Sequence, residues 1–435
     1  MRRETVSAIR FGFGLSPHAN PPTTAEGMIT DAADTARVAP RLTLEGRAAH
    51  ILAYRTKQKE GEQARKTAQR NLRKVTTEDA RAHLSFAVSD SGFGARLTAF
   101  WSDHFTVAAN GPLLRILVPD FIEAAIRPNI AGSFPKMLRA VATHPAMLIY
   151  LNQVQSVGPN SRAGKRRDRG LNENLAREIL ELHTLGVDAG YTQNDVRAFA
   201  ALLTGLSVKE SGFIFRPGIS EPGPHKMLGR SYGKERSTLD HIEEALGDLA
   251  LHPATAKHLC RKLQIHFIGI EDEELTQRMA QAYLESGGDL PTIYAVLLED
   301  ELSWSPQFRK AKFPFDFIAS SLRAAGATHA DIIGMKQGDL RQGVFGATQL
   351  MGQPIFRPPG PDGWDEDPEA WITPPGLAAR IRWATAFAER IEARHDPRAF
   401  LETALADAAS PTLEFAVGGS ESRVEGIALT LSLIH

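Results

Sequence analysis

Two short segments of this 435-residue chain gather carboxylates, imidazole and guanidinium groups where helical spacing could bring them together. In the first, Phe100-Trp101-Ser102-Asp103-His104-Phe105, a carboxylate and a histidine are neighbours among aromatics. A histidine oriented by a carboxylate is a familiar general base, but successive helical residues point about 100° apart, so Asp103 need not touch His104. In the second, Gly170–Gly205, a helix is expected to begin at Asn172, with Glu173 at its positive end and Gly186 as its stop. At 3.6 residues per turn, Asn174, Arg177, Glu178 and Glu181 share a polar face opposite Leu175, Ile179 and Leu182. Thr192 with Asp195 reads as a capping box that opens the next helix.

Carboxylates held in unequal surroundings can divide acid and base roles between them. Glu178 and Glu181, with Asp103 and His104, are therefore the candidate catalytic residues. Asn174, Arg177 and Trp101 are the candidate substrate contacts, Arg177 as the holder of an anionic group. The competing reading is structural. Any amphipathic helix shows a polar face, here stapled by Arg177 and Glu181, and the aromatic stretch can be packed core around one satisfied histidine. His183 falls on the apolar side. A divalent metal is compatible with these side chains, but neither Glu-x-x-His nor His-Glu-x-x-His occurs among them, so no cofactor is named.

The elements that must position these residues are helices, as apolar residues recur at helical spacing through most of the chain. The expected fold is mostly α, with irregular Pro/Gly-rich segments and at most a short β-hairpin near Phe213–Phe215. Four regions follow: 1–90 with a long polar helix or helical hairpin over Leu42–Ala87, 91–210 as a helical core, 211–345 as an irregular segment then helices, and 346–435 as a Trp/Pro/Gly-rich segment and final helices. They are expected to form one unit. The polar helix carries Lys57, Lys59, Arg65, Lys66, Arg70, Arg73 and Lys74 among Glu60, Glu62, Glu78 and Asp79, which suits a solvated face. His144-Pro145-Ala146 and His252-Pro253-Ala254 each put proline where a helix should start. The loop Ser156–Gly170 is basic through Arg162, Lys165, Arg166, Arg167 and Arg169 and is expected to be exposed.

Composition narrows the partners. With 43% hydrophobic and 23% charged residues the chain is globular, and its net charge of -1 supplies no bulk attraction for nucleic acid. No transmembrane stretch is read, and no export signal follows Arg2 and Arg3, so a cytoplasmic location is expected. Cys260, the one cysteine, has no disulfide partner in the chain and reads as a packed thiol.

Several segments together resemble the bacterial domain-of-unknown-function family 1800. They are RFGFG at Arg10–Gly14, FWSDHFTV at Phe100–Val107, HPAMLIYL from His144 and NENLAREILELHTLGV from Asn172. EPGPHKMLGR from Glu221, HPATAKHLCRKL from His252, KFPFDFIASSLRAAG from Lys312 and GQPIFRPPGPDGW from Gly352 continue the series. The resemblance implies an elongated helical domain and brings no established activity, cofactor or catalytic residue. Many similar proteins carry export signals, which are not read here; they commonly place histidine where this chain has Ser220, and their last helix continues where GIALTLSLIH stops.

Two function classes remain open. One is a hydrolase or transferase using carboxylate/histidine acid-base chemistry in a cleft between helices. The other is a non-catalytic binding or assembly protein that meets a protein partner through the Trp/Pro-rich stretch Pro354–Trp371, unless Trp364 and Trp371 fold back over the core. A deep cleft around Asp103 or His104 with Glu178 favours the first; a flat, exposed tryptophan face favours the second.

Overall fold

The computed structural model describes all residues except 90, 91, 167–169, 188, 211, 236 and 433–435. Arg167 and Arg169 of the basic loop and the last three residues of GIALTLSLIH lie outside the described residues.

The N-terminal RFGFG segment explains how the helices are held together. Phe11 packs on Phe93, Phe267 and Trp304, with ring centroids 5.4–5.8 Å away, in a core that runs through the first 300 residues. Two residues on, Phe13 points instead toward Phe315 and a second core built by the helices Pro314–Ala324, Pro374–Ile391, Pro397–Leu405, Pro411–Gly418 and Arg423–Ser432. The chain bends through residues 11–13 as it leaves the first helix, with Phe11 at φ -104° and ψ 1°, and so puts one ring into each core. Arg10 fixes the segment by donating to the carbonyls of Ser303 at 2.5 Å and Gln307 at 2.8 Å. Gly14 ends it at φ +100°, where an added Cβ would lie 2.8 Å from Ser320 Cβ.

The polar stretch after Leu42 is a helical hairpin, Leu44–Lys57 and Glu62–Ser89, turned at Gly61 with φ +108°. Its face is solvated only in part. Asp79 is buried, and its carboxylate takes both Arg41 and the fully buried Arg47, which also meets Asp120 at 3.3 Å and Glu123 at 3.2 Å. Charge composition reported exposure here because it cannot distinguish a solvated pair from a buried network.

Sheet is confined to two antiparallel hairpins among the described residues, Leu206–Lys209 with Gly212–Phe215 and His225–Met227 with Arg230–Tyr232. The first matches the expectation near Phe213, and the second was not foreseen. The two His-Pro sequences start helices, Pro145–Tyr150 and Pro253–Phe267. In each, the histidine Nδ1 also accepts the N–H two residues on, at 3.1 Å, so the histidine is the cap and the proline the first helical residue. Cys260 is buried, and burial pushes its thiol up to about 12. Among the described residues no helix is long and apolar enough to cross a membrane.

Candidate functional site

The helix Phe93–His104 directs its residues to different places. Trp101 is fully buried and donates Nε1–H to the Tyr294 hydroxyl at 2.7 Å, so it is core and does not line the cavity described below. His104 is also buried, with Nε2 3.2 Å from the His183 carbonyl. That contact assigns the proton to Nε2. Burial, with Lys262, His183 and His258 nearby, holds His104 well below the usual histidine range, so it is neutral.

Asp103 lies under the Pro/Gly-rich loop that follows Gly352 and shares a cleft there with His104. Its Oδ1 accepts the Trp364 N–H at 2.9 Å. Gly363, at φ +88°, permits this approach, since a Cβ there would sit 2.7 Å from the same oxygen. Burial pushes the Asp103 carboxyl up to about 7; the Trp364 hydrogen bond, Lys262 and Lys310 oppose the shift, and Glu366 adds to it.

Asp103 lines two spaces. One is a cavity of about 120 Å³, walled by Asp103, Ser102, His83, His266, Gln353 and the Arg96–Asp316 ion pair, with Phe121, Phe313, Phe315 and Phe356 among its apolar neighbours. The other is a cleft of about 380 Å³ that His104 also lines, with Lys262, Asp362 and Glu366. His83 stacks on Phe315 with centroids 4.7 Å apart, and burial brings it down to about 4.

His266 supplies a second proton-handling group. Its Nδ1 lies 2.6 Å from Oε1 of Glu366, while its buried Nε2 has no partner among the described residues. Glu366 is also paired with Lys310, whose ammonium donates to the His266 carbonyl at 2.8 Å. Burial and Lys310 bring His266 down to about 4, against the pull of Glu366. Burial alone would raise Glu366, but His266 and Lys310 more than offset it, so the carboxylate is ionised. The imidazole is then neutral, with its proton on Nδ1 and a lone pair on Nε2.

The polar face of the second segment lies elsewhere. The α-helix is short, Asn174–Glu178, and widens into a π-helix over Ile179–His183. Asn172 accepts the Asn174 N–H at 2.9 Å without capping the helix as expected. Arg177 bridges Glu181 at 3.0 Å and Glu173 at 3.4 Å, and Asn174 is exposed. The Thr192–Asp195 capping box is present. Glu178 is half-buried; burial and then Glu181 and Asp362 raise its carboxyl, with Arg177 opposing. Glu178 thus approaches the loop at Asp362, but neither it nor Glu181, Asn174 or Arg177 lines the Asp103 cavity.

The tryptophans of the Pro354–Trp371 stretch turn inward. Trp371 is buried against Phe313 with centroids 5.1 Å apart, and Trp364 packs edge-on against it at 5.8 Å. The segment is the roof of the cavity, not an open aromatic face.

Sequence reasoning found Asp103 and missed His266, Glu366, Lys310, Arg96 and Asp316. His266 and Glu366 are 100 residues apart, so no spacing links them, although Asp316 lies in one of the resembling segments. No group of three or more His, Cys, Asp or Glu side chains is arranged to hold a metal ion among the described residues.

The fold and this cavity define a helical protein with a roofed carboxyl–histidine pocket. Residues 7–431 match the family described as "Protein of unknown function (DUF1800)", and the chain belongs to that family. No curated protein and no solved structure matches it.

Proposed function

We propose that this protein is a hydrolase or transferase that works by carboxyl–histidine acid-base chemistry in the cavity beneath the Gly352–Trp371 loop. The observation that carries the reading is that Asp103 and His266 line the same cavity, with the buried Nε2 of His266 left without a hydrogen-bond partner among the described residues. Asp103, with its carboxyl near 7, exchanges a proton readily at neutral pH. His266 is a neutral base whose tautomer is held by Glu366.

In the hydrolytic form, water attacks the electrophilic centre of the substrate and gives its proton to Nε2 of His266. The imidazolium so formed is stabilised by the Glu366 carboxylate. Protonated Asp103 donates to the departing oxygen or nitrogen as its bond breaks. A second nucleophile in place of water makes the same sequence a transfer. Lys310 keeps Glu366 ionised throughout.

The test is a panel of chromogenic ester, phosphate-ester, amide and glycoside substrates, assayed with the purified chain, Asp103→Asn and His266→Gln. General acid-base catalysis contributes on the order of 10²–10⁴ in rate, so a supporting activity falls by at least about 100-fold in each variant while circular dichroism is unchanged. Activity equal in all three proteins, or absent across the panel, speaks against the reading.

A further inference from the structure

Across Pro354, Ile355 and Phe356, which line both spaces, the Asp103 cavity has a neighbour. This groove encloses about 400 Å³, and its charged lining is Arg115, Arg341 and Arg357, with no carboxylate. We propose that it is an oxyanion-binding groove that takes a phosphate or sulfate ester with an apolar organic part.

Charge balance makes the arrangement local. The chain has 50 basic and 51 acidic residues, so three cations without a counter-charge are not a consequence of composition. The nearby acids are engaged elsewhere: Glu78 with Arg81 at 3.2 Å, Asp79 with Arg41 and Arg47, and Asp339 with Arg390 at 3.6 Å. The three arginines are exposed, and none has an ion-pair or side-chain hydrogen-bond partner among the described residues. They come from three separate elements, the helix Pro112–Asp120, the π-helix Leu340–Gly346 and the loop after Gly352, so the fold assembles what no sequence motif displays.

A guanidinium presents a planar fork that matches two oxygens of a tetrahedral anion. Thr76, Thr77 and Gln349 add neutral hydrogen-bonding groups to the same lining. Repulsion among three like charges in the free groove is relieved when an anion of opposite sign enters. Half-buried Phe345, Ile355 and Phe356 give the organic part an apolar surface. Phe356 also holds the partition in place: it stands at φ +57°, costly for a non-glycine, and its carbonyl accepts the Ala109 N–H at 2.7 Å. Anion binding here does not rest on the acid-base reading of the adjoining cavity.

Isothermal titration of the full chain at fixed ionic strength, with phenyl phosphate and inorganic phosphate as probes, tests the proposal. Saturable binding is expected for both, tighter for phenyl phosphate. Arg341→Gln/Arg357→Gln should weaken it at least about tenfold, the scale of lost charge-assisted hydrogen bonds. Arg115→Gln should weaken it in the same direction. Arg216→Gln, an exposed arginine outside the groove, and Asp103→Asn should leave it unchanged. Equal affinity for the two probes would assign the free oxyanion and overturn the ester. No saturable binding, or binding undiminished in the double variant with an unchanged circular dichroism spectrum, would overturn the groove itself. Asp103→Asn separates the two proposals, because it removes the acid-base group and leaves every arginine in place.

Discussion

The backbone N–H of Trp364 reaches the Asp103 carboxylate at 2.9 Å, although 261 residues separate the two in sequence. One contact therefore couples the loop's position to the carboxylate's protonation. The loop excludes water, which raises the carboxyl, and returns a single hydrogen bond that only partly compensates.

Gly363→Ala should break this coupling first. The substitution forces a side chain into φ +88° and brings Cβ within 2.7 Å of Asp103 Oδ1, so the turn must move. A loss of about 1–3 kcal/mol is expected, read as a lower Tm. Gly352→Ala, also at positive φ but in open space, should cost less. Equal losses would show that backbone strain alone, and not contact with Asp103, governs position 363.

Asp103 should also leave a signature in stability against pH. Its carboxyl is raised to about 7 from an ordinary 3.8, so the folded state holds the proton more tightly than the unfolded state. That stabilising contribution is complete below about pH 4 and is lost as pH rises to about 7. The full shift corresponds to about 4 kcal/mol, reduced to about 2 kcal/mol because Asp103 is only partly buried and its charge is screened in part. Asp103→Asn should therefore melt higher than wild type at pH 8, with the advantage shrinking toward pH 4. Parallel pH profiles for the two proteins would contradict a raised carboxyl.

The Pro145 and Pro253 helices offer a matched pair of caps. His144 and His252 each accept an N–H at 3.1 Å, but His144 also places Nε2 3.1 Å from the buried Asp120 carboxylate, itself part of the Arg47 network. Loss of a cap costs about 0.5–2 kcal/mol, and loss of the second bond adds to it. His144→Ala should thus lower stability more than His252→Ala in urea titration. Equal losses, or the reverse order, would mean that the Asp120 contact adds no stability.

What could be read in advance follows the range of the interactions. The Thr192–Asp195 capping box, the proline helix starts and the Arg177–Glu181 staple lie within a few residues of themselves, and local spacing displays them. Asp103 was legible because it sits in a short polar interruption of an aromatic helix. Its partner was not. Helical spacing offered His104 next door, which the fold keeps beside Asp103 in the adjoining cleft with Nε2 on the His183 carbonyl, while it brings His266 to the cavity. Nothing in the run from His252 to His266 marks which of its three histidines meets a carboxylate a hundred residues away. Likewise the three groove arginines are unremarkable in sequence, since exposure and the absence of nearby acids are properties of the packed chain.

The Glu366 pair tests how far the base depends on its support. Glu366 joins His266 on one oxygen and Lys310 on the other, with both partners largely out of water. Glu366→Gln leaves the Lys310 ammonium without its counter-charge and the His266 Nδ1–H without a charged acceptor. Removing one member of a buried pair strands the other, so a loss of about 2–4 kcal/mol is expected. The sign with pH is the opposite of that for Asp103. Glu366 is held below its ordinary value, so its contribution is present above the unfolded carboxyl range near pH 4.5 and disappears as pH falls. Wild type should therefore lose its advantage over Glu366→Gln on acidification. Lys310→Met in the Glu366→Gln background should recover part of the loss, because it removes the stranded charge. A double-mutant cycle from urea melts at pH 7 and pH 3, on either side of the ordinary carboxyl value of 4.5, reads both effects. If Lys310→Met brings no recovery and the gap stays constant with pH, the pair does not carry the charge that keeps His266 a neutral base.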